Sequence, residues 1–230
     1  MKRAIPLLII LSLTACSVKN GNGDQSSELR DHDGFLAVNN NTSVTLSVEV
    51  GPAESVEVFC DENLLQFIET EVRGDSLDVT LPVDMVITPM ATCEVLVTMP
   101  SLERVRASSN GDVLVQGELS VLDYVRNSSW GDIFIDGLAS PDLRVIAQSR
   151  GRVVMSGVAE VVSLDSAGAG GIEAAELVIA YANVHNSGKG DIIATVTERA
   201  TVHIEGTGDV VLHGDPETVV VEDDGCGDVY

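Results

Sequence analysis

The chain has 230 residues, with 36 Asp and Glu against 13 Lys and Arg, a formal charge of −23. A body of that sign is repelled by nucleic acid and by anionic lipid headgroups, and an aromatic content of 3% leaves little for a groove that stacks bases or sugar rings. The roughly 200 residues beyond the leader are one domain's worth.

Residues 1–15 read as a signal peptide: Lys2 and Arg3, an apolar run over 4–13, then Leu13-Thr14-Ala15-Cys16. The run is too short to stay in a bilayer as a spanning helix. Its end matches a lipobox, so cleavage before Cys16 and lipidation of that cysteine are expected, with the membrane as partner through the lipid. Ser17 in place of Asp points to the bacterial outer membrane under the usual sorting rule, with the side faced left open. Loss of Lys2 and Arg3 takes the charge from −23 to −25. Residues 16–33 are polar and without apolar period, which predicts a flexible tether.

The domain is expected over 34–230. Its first part, 34–100, alternates with period two: Val44, Leu46, Val48 and Val50; Val56, Val58 and Cys60; Leu77, Val79 and Leu81; Cys93, Val95, Val97 and Met99. These predict strands that cap the beginning of a stack, with a short helical turn within 61–68. Cys60 and Cys93 both fall on inward faces in an oxidising compartment, which makes them a candidate disulfide, with two buried thiols as the alternative. Cys226 is left as a free or intermolecular thiol.

From residue 101 one phrase recurs seven times, with anchors Val113, Ile133, Val153, Ile172, Ile192, Val210 and Val229 spaced 18 to 20 residues apart. Eight residues before each anchor stands Val105, Val125, Val145, Leu164, Val184, Val202 or Val221, and two after it stands an apolar residue from Val115 to Leu212. Gly lies two before every anchor, and Ser or Gly four before, as a corner with positive φ and close backbone approach would require. A fixed period of this length without helical periodicity predicts an all-β chain wound as a single-stranded right-handed parallel β-helix, a solenoid in which like stacks on like.

The repeated Ser-x-Gly-Asp-[Val/Ile] phrases, with DENLLQFIETEVRGDSLDV at 61–79 and VLVTMPSLERVRAS at 95–108, resemble the GIN domain family of auto-transporter adhesin heads. The resemblance covers about residues 34–230. It implies a parallel β-helix on a bacterial envelope protein, and no activity to carry over. Arg152 and Gly171 depart from the family's Asp in the third and fourth repeats.

Outward columns supply the candidate sites. Seven before the anchors, Asp165, His185, His203 and Glu222 stack on successive coils, about 5 Å apart by strand spacing. They are a candidate divalent-metal site, with a mixed surface ladder as the bland alternative and otherwise no cofactor expected. Asp112 with Asp132, and Asp191 with Asp209 and Asp228, stack where calcium could bridge, although an Asp bonded to its own turn amides is the plainer expectation. Arg73-Gly74-Asp75 reads as a turn before it reads as a recognition tripeptide. One residue after the anchors, Leu114, Phe134, Val154, Ile193 and Val211 point outward, and with Trp130 near Phe134 they form a candidate interaction face. No catalytic set emerges, and no coil has room for an inserted loop.

The sequence therefore reads as a non-enzymatic, lipid-anchored adhesion or interaction module. Its expected partners are a second copy, an envelope protein or a glycan. The alternatives are a polysaccharide-acting β-helix enzyme with a divalent-cation site, or a purely structural envelope lipoprotein.

Overall fold

The computed structural model describes residues 17–88 and 91–230, so the expected signal peptide and Cys16 lie outside the described residues. The first strands are β1 (Ser17–Lys19), β2 (Gln25–Arg30), β3 (Ala37–Asn40), β4 (Thr45–Val50), β5 (Ser55–Asp61), β6 (Glu69–Arg73), β7 (Ser76–Thr80), β8 (Met85–Ile87) and β9 (Glu94–Met99). The repeats supply β10 (Arg104–Ala107), β11 (Val113–Leu119), β12 (Tyr124–Asn127), β13 (Ile133–Ala147), β14 (Val153–Ser166), β15 (Ile172–Asn186), β16 (Ile192–Ile204), β17 (Val210–His213) and β18 (Thr218–Asp223). They form a β-solenoid of about 6 turns with stacked parallel strands.

The stacking register follows the sequence columns. Val105 pairs with Val125, then Val145, Leu164, Val184, Val202 and Val221 in one parallel ladder. The anchors form a second ladder from Val113 to Val210, closed by a bridge to Val229. Each β-branched or Leu side chain is thereby covered by its equivalents above and below, and both columns are buried except at the last coil. There Val221, on the last strand of the described residues, is 45% exposed.

The corners differ from expectation in their cause. None of the glycines two before an anchor has positive φ. At Gly151 the constraint is space: a Cβ would lie 1.9 Å from the carbonyl oxygen of Gly131 in the coil below. Positive φ belongs to a different column four after the anchors, as at Gly137 with φ 89°. It follows the inward pair of β13, where the ladder slips register between Ile135 and Leu138.

The first part of the domain does not stack in chain order. β3 and β4 lie on β10 and β11, and β7 and β9 lie beyond them on β3 and β4. The chain thus builds the second layer before the first, and then crosses back to β10. The parallel stack is ended by antiparallel strands: β5 on β9, β2 on β5, and β6 on β7. The outermost two, QSSELR and ETEVR, carry the charged side chains that protect an edge from further pairing. A short 3₁₀ turn at Leu65–Phe67 follows β5, within the stretch expected to be helical.

The expected flexible tether is a correction. β2 pairs along its full length with β5, and Ser17–Lys19 pairs with Met85–Ile87 of β8. An edge strand is held by backbone hydrogen bonds and needs no apolar face, so polar composition in 17–30 did not preclude order.

Candidate functional site

The outward ladder one after the anchors is present in register. Leu114, Phe134 and Val154 stack, Glu173 interrupts, and Ile193 and Val211 continue. It is uneven in exposure. Leu114 (42%) and Phe134 (36%) are open, whereas Val154, Ile193 and Val211 are half-buried. The ladder extends the other way through Ser47 to Leu96, which is 38% exposed. Leu96, Leu114 and Phe134 line a cavity of about 420 Å³ with Glu49, Glu57 and Asp136 at its polar lining. The result is an apolar ledge rimmed by carboxylates. Leu96 was readable as the outward residue between inward Val95 and Val97.

Trp130 does not belong to this ledge. It lines a separate groove of about 750 Å³ along the turns, together with Arg150, Lys189 and Cys226. The Arg150 guanidinium sits 4.7 Å from the Trp130 ring centroid. Cys226 is an exposed free thiol.

Asp165, His185, His203 and Glu222 occupy successive positions of one parallel ladder. The imidazole centroids are 5.3 Å apart. Glu205, in the turn after β16, reaches back between the rings, with its Oε2 3.3 Å from His185 Nε2 and its Oε1 3.3 Å from His203 Nε2. Asp165 lies 3.7 Å from His185 Nδ1, and Glu222 3.3 Å from His203 Nδ1. Hydrogen bonding to Glu222, with the negative charge of Glu205 beside the ring, raises the His203 pKa. The two histidines hold the Glu205 carboxyl below its ordinary value. Among the described residues, the group whose donor atoms converge is His185, His203 and Glu205, within 4.8 Å of one another.

The Asp column bonds upward rather than to its own turn. Asp112 Oδ1 accepts the amide of Asp132 (2.8 Å), and Asp132 Oδ1 that of Arg152 (2.7 Å). Asp191 and Asp209 do the same for Asp209 and Asp228. Arg152 fits the column because its guanidinium pairs with Asp132 below and Glu173 above. The column's chemistry is therefore amide capping between coils. The Arg73-Gly74-Asp75 tripeptide is engaged within the chain: Arg73 with Glu71 and Asp78, Asp75 with Arg104 at 2.6 Å. Cys60 and Cys93 are joined as a disulfide linking β5 to the residue just before β9, with Cα atoms 4.2 Å apart.

Residues 34–216 match a family model described as "Putative auto-transporter adhesin, head GIN domain". Among solved structures, the chain is similar to a "putative adhesin" from Bacteroides fragilis, at 20% identity and a TM-score of 0.85, over 92% of this chain and 98% of that one. A "putative adhesin" from Parabacteroides distasonis is 15% identical with a TM-score of 0.68, over 93% of this chain and 100% of that one. A "putative lipid binding protein" from the same species is 18% identical with a TM-score of 0.66, over 93% and 100% of the two chains. At these identities what is shared is the fold. No curated protein matches the chain in sequence.

Proposed function

Because the chain belongs to the family of auto-transporter adhesin head GIN domains, we propose that it is a cell-envelope adhesion module that binds a protein surface through the ledge of Leu96, Leu114 and Phe134, without catalysis. The carrying observation is that apolar side chains of 36–42% exposure line a 420 Å³ cavity beside Glu49, Glu57 and Asp136. Exposed apolar groups of this kind mark interaction surfaces. The rim selects a partner that presents apolar side chains flanked by Lys or Arg. A second copy of a chain of charge −23 is a poor match to that rim. Repeats of 18 to 20 residues, with no inserted loop in which to build a catalytic site, favour binding over polysaccharide cleavage.

The anchor we propose is a lipid on Cys16 at the outer membrane. Ser17 donates its backbone N–H to the Asp84 carbonyl, so such a lipid would hold the domain close to the bilayer rather than on a long stalk. Cys16→Ser is expected to leave the membrane fraction. Continued sedimentation with membranes, with fatty-acid label retained, would overturn the anchor.

The ledge is tested with beads carrying the wild-type chain, Leu114→Glu, Phe134→Glu or Trp130→Glu, presented to intact cells. Central apolar anchors of an interface contribute about 2 kcal/mol or more, or roughly 30-fold. The two ledge variants should lose that much binding while Trp130→Glu keeps it. Equal binding by all four would remove the ledge, and no binding by the wild type would leave a structural lipoprotein.

A further inference from the structure

Independently of the ledge, the five side chains Asp165, His185, His203, Glu205 and Glu222 are sorted by ring nitrogen. Nε2 of each histidine faces the same carboxylate, Glu205, at 3.3 Å in both cases. Nδ1 of each faces a different one, Asp165 at 3.7 Å and Glu222 at 3.3 Å. An ion-pair ladder does not require this division. A metal site does: a ligating imidazole presents one nitrogen to the ion and gives the other N–H to a carboxylate that fixes its tautomer and orientation.

The donors also converge to near the spacing that a zinc ion requires. Zinc bonds to nitrogen and oxygen are about 2.0–2.2 Å, so neighbouring donors on a tetrahedron are about 3.3–3.5 Å apart. Glu205 offers a separate oxygen to each ring, 3.3 Å from its Nε2 in both cases, and one donor atom from each of the three residues lies within 4.8 Å of the others, so the side chains close further around a bound ion. His203 Nε2 is buried and makes no hydrogen bond, although Glu205 is near. Its lone pair or proton is thus unspent at the point where the three donors converge.

We propose that His185, His203 and Glu205 bind a zinc ion, with Asp165 and Glu222 as orienting partners rather than ligands. Two imidazoles and one carboxylate suit zinc, whereas calcium asks for six or more oxygens. The carboxylates of Asp165, Glu205 and Glu222 balance the charge of a dication held by neutral imidazoles. The three ligands are 31–54% exposed, so a fourth position faces solvent and can take water or a donor from a partner. The backbone builds the site cheaply: parallel stacking in register places position 185 beside 203, and the next turn supplies position 205.

The full chain, stripped with a chelator, is titrated with zinc sulfate by calorimetry. One zinc per chain is expected. His185→Ala and His203→Ala should each weaken it by at least about 100-fold, and Asp165→Asn or Glu222→Gln by about 10–100-fold, as orienting partners do. His32→Ala and His213→Ala should leave the affinity unchanged. Cobalt(II) should give the visible absorption of a tetrahedral site, lost in His203→Ala. Matching melting curves of the metal-free variants would show that loss of binding is not loss of fold. No zinc uptake by the wild type, undiminished uptake by His203→Ala, or equal competition by calcium would overturn the site.

Discussion

Side chains that tie one coil to the next are the smallest units of this fold. Asn127, fully buried, donates Nδ2 to the carbonyls of Gly131 and, one coil on, Arg152, while its Oδ1 accepts from the amide and hydroxyl of Ser129. Asn40 and Asn186 repeat the clamp. Coils with Ala107 or Ala147 at that position show that the turn closes without it. Asn127→Ala is therefore expected to cost about 1–3 kcal/mol, the usual penalty for leaving buried partners unmet. Chemical denaturation would measure it, and a change below about 0.5 kcal/mol would contradict the clamp. Asp75 gives a pH test. Its hydrogen bond from Arg104 holds its carboxyl below the usual value. A depressed folded pKa means that the contribution is present above the unfolded value and is lost as pH falls through the folded one. In an NMR titration, Arg104→Ala should move the Asp75 midpoint upward.

Residue columns were legible where the sequence repeats, because each phrase contributes one residue to each column. Leu114, Phe134, His185 and His203 were found that way. Glu205 was not. It lies five before Val210, in a turn column shared with Ser108, Ser128, Gln148, Ala167 and Ser187. Only the length of its side chain brings it back to the sheet, and a column of Cα positions does not register reach.

Strands show both the strength and the limit of the pattern. Val145 is fully buried in its ladder, and an unpaired charge there costs several kcal/mol. Val145→Asp should unfold the domain, and Leu114→Asp on the open face should leave its melting temperature nearly unchanged. Equal tolerance would mean that the two faces are exchanged. Gly151→Ala should also destabilise strongly, since its Cβ would meet backbone of the coil below at 1.9 Å. The order of the first layers was not legible, because period-two alternation gives faces and not neighbours. Val48 and Val97 look alike whether their strands are adjacent or far apart. β2 was missed for the opposite reason: an edge strand with exposed Ser, Glu and Arg has no apolar face to betray it. The Cys60–Cys93 link closes 33 residues across these non-sequential strands. By loop entropy it contributes about 3–4 kcal/mol. Reduction should lower the melting temperature, and a Cys60→Ser/Cys93→Ser variant should match the reduced protein.

The whole molecule is a short column with unlike ends. The N-terminal end is closed by antiparallel strands, while at the other Val219, Val220 and Val221 stand 41–45% exposed on the uncovered β18. A charge of −23 opposes self-association through that end or through the ledge, so light scattering at moderate salt should find a monomer. At the ledge, Glu49, Glu57 and Asp136 place negative charge beside the apolar side chains, which selects a cationic partner. A basic peptide with Leu and Lys alternating offers an apolar face flanked by cations, and its acidic counterpart replaces Lys with Glu. Titrating both into the chain by calorimetry distinguishes a cationic partner from an anionic one. The basic peptide should bind, Phe134→Glu should abolish the heat, and salt should weaken the binding. Equal binding of the acidic peptide, or undiminished binding by Phe134→Glu, would contradict a cationic partner at the ledge.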